Sequence, residues 1–129
     1  MRMIHRVLII ALIVFHLAHS AFTADMDPAF RQQIEADWTL QEKHKGRSPD
    51  DPAAIADAIK RTEALLNDLG AMPDTPGLAA QNAALARMRQ RAEGVDALSA
   101  GDRLALYREI RRLARETALR NPLIAGCPL

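Results

Sequence analysis

Apolar side chains recur at spacings of three and four along most of the chain, in four runs separated by proline and glycine, the period of an amphipathic helix. In the first run Phe30, Ile34 and Trp38 share one face, flanked by Leu40 and Gln41. Asp27-Pro28 supplies a capping side chain and a proline at the first helical position, where a missing N–H costs nothing. A helix is predicted from there to about His44, broken by Gly46, Ser48 and Pro49. Asp51-Pro52 repeats the start signal, and Ile55, Ile59, Thr62, Leu66 and Leu69 follow, with Leu65 widening the stripe. Gly70 is read as a left-handed C-terminal residue, and the two prolines of Ala71–Gly77 mark a loop. A third helix, opening near Thr75 or Pro76 and stopping at Gly94, carries Leu78, Ala79, Leu85, Met88 and Ala92. Its mostly alanine face admits a close neighbour but buries little. The fourth has the clearest start, Ser99-Ala-Gly-Asp102, a capping box with Asp in place of Glu. Leu106, Ile110, Leu113 and Thr117 form its stripe, beside Leu104, Tyr107 and Ala114, and Asn121-Pro122 ends it.

Short loops between such helices favour antiparallel neighbours. The fold class is therefore all-α, with about four short helices forming a hairpin-like or loose antiparallel bundle. β-Branched and aromatic residues are too sparse after residue 23 for a sandwich or barrel. Large apolar side chains are few for the length, so the face around Leu106, Ile110 and Leu113 is expected to be only partly covered by the first three helices. That expectation carries two others: a broad thermal transition, or self-association through those three residues.

Residues 1–24 are set apart. Arg2, His5 and Arg6 precede the apolar run Val7–Phe15, and small residues follow at Ala18, Ser20, Ala21 and Ala24, the layout of a secretory signal peptide. A retained anchor is the alternative, but the run is about half of the ~20 residues a spanning helix needs. Cleavage is expected between residues 20 and 24, with export to the periplasm or beyond and no stable membrane anchor afterwards. Residues 25–123 are expected to form the helical region and residues 124–129 a disordered tail. Without the leader, residues 25–80 hold eleven acids against six bases and residues 81–129 five against nine. This balance gives no general argument for nucleic acid, and none is expected as a partner.

Candidate chemistry is thin. His44 is the one histidine after residue 24, and its place at a helix end suits a cation facing the outgoing dipole. Haem-attachment, nucleotide-loop and zinc-protease motifs are missing from the sequence, so no metal, no cofactor and no enzyme activity are expected. Asp25/Asp27, Asp50/Asp51 and Glu35/Glu42 pair carboxylates. Acid–base work would need a shaped pocket, however, and the helix-one acids are read as lying away from Trp38 or at the edge of its face. Cys127 is an intermolecular bridge, a free thiol or without a role. The candidate surface is a row of arginines at i, i+3, i+4, i+7, comprising Arg108, Arg111, Arg112 and Arg115, opposite the apolar stripe. Arg103 and Arg120 are read as extending it, and Arg87, Arg89 and Arg91 as adding to it. Such a row could meet an acidic protein or an anionic polymer. It could also be a solvated face with Arg112–Glu116 and Glu116–Arg120 pairs.

Three stretches resemble one family. Glu35-Ala-Asp-Trp38-Thr-Leu-Gln41, Ile59–Leu69 and above all Leu106–Leu123, ending Ala118-Leu-Arg-Asn-Pro-Leu123, are similar to the N-terminal helical leader of large secreted bacterial proteins related to the hydrazine synthase alpha subunit. The resemblance implies an all-helical leader of a propeller protein that often carries c-type haem. The chain departs after Leu123, and neither the propeller nor a haem-binding cysteine pair is in the sequence, so no catalytic residue carries over. The resulting expectation is a non-catalytic exported helical protein, a docking or structural leader segment or a truncated product of such a gene. The alternative is a small periplasmic binding protein that holds an anionic ligand on the arginine row.

Overall fold

The structure, a computed structural model, describes residues 26–124. The proposed leader, the tail after Ile124 and Cys127 lie outside them. The described chain is all-α, with helices α1 (Pro28–His44), α2 (Pro52–Ala71), α3 (Ala79–Glu93) and α4 (Ala100–Ala118) and a single 3₁₀ turn at Val95–Ala97. The chain divides into two compact units at Ala36/Asp37, within α1.

In the first unit the described residues are the start of α1. Asp27 caps it: its carboxylate accepts from the Ala29 N–H at 3.2 Å, and its carbonyl accepts from Arg31 at 2.9 Å. Phe30, expected on the buried face, is exposed.

The second unit begins at Asp37 and holds the core. α2 packs most extensively along α4, and α3 lies against both. Direction follows from the cross-links. The guanidinium of Arg103, at the start of α4, reaches the Asp50 carbonyl just before α2, while Leu66 and Leu69 near the end of α2 share a cluster with Leu113. α2 and α4 therefore run parallel. Leu78, just before α3, and Leu85, midway along it, join that cluster, whereas Arg91 at its end pairs with Glu109. α3 is thus antiparallel to both.

The start signals act as the sequence predicts because capping is local. The Asp51 carboxylate accepts from Ala53 N–H at 2.8 Å, and Ser99 Oγ accepts from Asp102 N–H at 3.1 Å while its hydroxyl donates to Asp102 Oδ2 at 2.8 Å. Three details differ. Gly70 lies inside α2, which continues to Ala71 and is closed by the Met72 N–H on the Leu69 carbonyl. The left-handed residue of that loop is Asp74, with φ 65°, a conformation aspartate tolerates better than most side chains. α3 starts at Ala79, later than Thr75 or Pro76, with Leu78 in the cap position making no side-chain cap.

The core corrects the expectation for α4. Leu106 and Ile110 are fully buried and Leu113 is 2 % exposed. Ala54, Ile55 and Ala58 of α2 are buried as well. Thr62 and Thr117 are buried without loss, because each hydroxyl donates to the carbonyl one turn back, of Ala58 and Leu113. The Leu106/Ile110/Leu113 face is closed within the chain. Self-association through it would first have to open the packing between α2 and α4.

Candidate functional site

Glu42 lies one helical turn beyond Trp38, and the two are the buried residues of α1. A carboxylate at a helix C-terminus faces the negative end of the dipole, and burial adds a desolvation cost, so Glu42 must be compensated. The turn after α1 does part of this. Gly46, at φ 76°, lets the chain double back, with the Lys45 and Arg47 N–H groups both on the Glu42 carbonyl at 2.9 and 3.2 Å. Arg47 Nε then donates to Glu42 Oε2, and Lys45 Nζ sits 3.1 Å from Oε1. Both cations also reach Asp57 of α2, Arg47 at 2.9 Å and Lys45 at 3.3 Å, and Arg61 joins the same oxygen at 3.2 Å.

From α4, the Tyr107 hydroxyl donates to Glu42 Oε1 at 3.2 Å and accepts from Arg111 Nη1 at 3.3 Å. Arg111 Nη2 donates to Gln41 Oε1 at 2.9 Å, and its guanidinium lies 5.2 Å from the Trp38 ring centroid and 5.8 Å from that of Tyr107. Both distances are within cation–π range. Gln41 is in turn oriented by Asp37, to which it donates at 2.7 Å.

The electrostatics follow from these distances. Burial pushes the Glu42 carboxyl up, but hydrogen bonds and charge from Arg47 and Lys45 outweigh it and hold the group below its ordinary 4.5. Asp57 behaves alike: burial raises it, and Arg47, Lys45 and Arg61 bring it below 3.8. Burial, reinforced by the Glu42 charge against the counter-pull of Arg111, pushes the Tyr107 hydroxyl up to about 12. At neutral pH the cluster therefore holds ionised carboxylates and a protonated tyrosine. Chemically, such an arrangement ties α1, the turn, α2 and α4 together.

Helical spacing predicts the helix-one acids away from Trp38 or at the edge of its face. For Glu42 this is corrected, since it continues the Trp38 face and is 1 % exposed. The usable signal was the i, i+4 spacing from Trp38 followed by Lys45 and Arg47. The partner that completes the site, Tyr107, is 65 residues away in sequence. Of the other acid pairs, Asp51 caps α2, and Asp50 is held below its ordinary value chiefly by a hydrogen bond from Ser48.

The arginine row has the predicted placement but a different environment. Arg108, Arg111, Arg112 and Arg115 lie opposite the buried stripe, yet each is half-buried. Arg111 is committed to Gln41, Trp38 and Tyr107, and Arg108, Arg112 and Arg115 each have interactions of their own. Arg103 does not extend the row. It bridges the Asp50 and Leu98 carbonyls at 2.9 and 3.0 Å, pinning the α1–α2 loop to the start of α4. Arg89 and Arg91 face other helices, pairing with Glu63 at 2.7 Å and Glu109 at 2.6 Å, whereas Arg87 and Arg120 are exposed. Glu116 is half-buried, and burial lifts its carboxyl above 4.5 against the charges of Arg112, Arg115 and Arg120.

His44 closes α1, exposed, with Lys43 beside it in the last turn. Among the described residues no three His, Cys, Asp or Glu side chains gather as a metal site, and no helix is long and apolar enough to cross a membrane. Large apolar side chains are exposed at the end of α4 and just past it: Leu119 at 48 %, Leu123 at 75 % and Ile124 at 44 %. No family model, curated protein or solved structure matches this chain.

Proposed function

We propose that the chain is a non-catalytic, exported helical module that works by docking, as the leader segment of a propeller or haem-type protein. The observation that carries this reading is the apolar end of α4. Leu119 and Leu123 belong to the stretch that resembles the leader family, and they stand exposed together with Ile124 while the rest of the α4 stripe is buried. Exposed large apolar side chains gathered in one short stretch, residues 119–124, mark an interaction site. The polar cluster around Glu42 supports the same reading from the other side, since its two carboxylates find their cationic partners within the chain and hold the helices that present this end.

The test is site-specific photocrosslinking in the native host. A photoreactive residue at position 123 should give a discrete protein adduct that one at exposed position 87 does not, and Leu119→Asp should remove it. Absence of an adduct above the position-87 control would sink the docking reading. If the purified chain instead binds anions and Arg108→Glu with Arg115→Glu abolishes that binding, the anion-holding alternative replaces it. Export is tested separately, by a mature N-terminus between residues 21 and 25 in the extracytoplasmic fraction; a membrane-bound product retaining Met1 would count against it.

A further inference from the structure

The attachment of α1 differs in kind from the rest of the packing. The cluster joining α2, α3 and α4 is made of Leu66, Leu69, Leu78, Leu85 and Leu113, none of which titrates. Residues 37–44 of α1 meet α4 through Glu42 on Tyr107, Gln41 on Arg111 and Trp38 beneath the Arg111 guanidinium. We propose that Glu42 is the catch of an acid-operated latch: protonation of its buried carboxylate releases residues 37–44 from α4 while α2, α3 and α4 stay packed. This inference is independent of the docking reading.

The charges that face Glu42 make the case. Lys45 and Arg47 come from the turn, Asp57 with its partner Arg61 from α2, and Tyr107 with Arg111 from α4. With both carboxylates ionised, the four cations are balanced in part by two anions. A proton on Glu42 leaves Lys45, Arg47 and Arg61 sharing Asp57 alone, with Arg111 adjacent across the tyrosine hydroxyl. A buried carboxyl that has lost its charge no longer offsets the confinement of cations around it, and the nearest relief is to let the end of α1 move into water. The apolar cluster has no comparable response to pH, so the two parts of the unit open separately, as local units of unequal stability do. The sign agrees. A carboxylate stabilised as the anion contributes above its ordinary value, and the contribution fades as pH falls through its lower folded value.

Trp38 is the single tryptophan and is 7 % exposed, so it reports the release directly. The experiment follows the full chain from neutral pH to about pH 2.5 by Trp38 emission and quenching, far-ultraviolet circular dichroism and hydrogen exchange, which resolves local opening. Trp38 should become solvent-accessible and residues 37–44 should lose protection while the protection of α2 and α4 persists. Glu42→Gln should abolish the acid step in Trp38 emission. Asp57→Asn is the second variant. It removes the competing acceptor, leaves Glu42 among more cations and should move the Trp38 midpoint down by roughly half a pH unit or more. Coincident loss of Trp38 burial and helix in the natural chain, an unchanged acid step in Glu42→Gln, or a midpoint unmoved or raised in Asp57→Asn would each overturn the latch.

Discussion

Leu113→Ala measures whether the three-helix core holds the chain together. Leu113 is 2 % exposed and shares one cluster with Leu66 and Leu69 of α2, Leu78 just before α3 and Leu85 midway along it, so all three helices contribute to its surroundings. Ile59, Leu65, Met72, Ala84 and Met88 pack around that cluster and are themselves partly exposed. Truncating a buried leucine to alanine typically costs ~2–5 kcal/mol, the upper part of the range applying where neighbours cannot close the cavity. Here the ring of half-exposed neighbours allows some collapse, which sets the expected cost near ~3 kcal/mol. A domain of this size has a total stability of about 5–15 kcal/mol, so the variant should still fold. Each kcal/mol shifts Tm by roughly 4–8 °C in a domain of this size, and the melting point should fall by about 12–24 °C. Urea unfolding of the purified protein checks it: the midpoint should drop with an unchanged slope, since the surface exposed on unfolding is nearly the same. Leu123→Ala, at a position 75 % exposed, is the control and should stay within ~0.5 kcal/mol. A cost below ~1 kcal/mol at Leu113 would refute the buried-core reasoning. So would a transition that depends on protein concentration, which would return the α4 face to a role in self-association.

Ser99→Ala removes the capping hydroxyl from α4 and should cost about 1 kcal/mol in the same urea assay, with Ser99→Gly milder. Tyr107→Phe deletes the hydroxyl shared by Glu42 and Arg111 while keeping the ring beside the guanidinium; a loss of about 1–2 kcal/mol is expected, and a neutral result would show that the hydroxyl is not needed to hold the cluster. Glu116 titrates in the opposite sense to Glu42. Its folded value is raised, so its contribution is full below 4.5 and is lost as pH rises through the folded value, leaving an ionised Glu116 unfavourable at neutral pH. Glu116→Gln should therefore raise Tm at pH 7 and give no gain below about pH 4, and equal Tm changes at both pH values would contradict it.

What the sequence determined about this chain is what depends on neighbours within a turn. Asp27-Pro28, Asp51-Pro52 and Ser99-x-x-Asp102 place three helix starts correctly because a cap is a contact between a side chain and the next two or three N–H groups. The α4 stripe was legible for the same reason, as was the placement of Arg108, Arg111, Arg112 and Arg115 opposite it, since helical period alone decides which residues share a face. The end of α2 was not, because Gly70 can occupy a helix as well as a left-handed cap, and the turn was made at Asp74 instead. Tertiary structure decided how much of the α4 face is covered, which rests on α2 packing along α4 and on the leucines gathered around Leu113. It also decided the burial of Glu42. A carboxylate one turn past a tryptophan reads as the polar edge of a helix until Arg47, Lys45 and a tyrosine from the far end of the chain are brought to it. Burial of a charge is set by the partners that compensate it, and the one from α4 comes from a distance that no local pattern encodes.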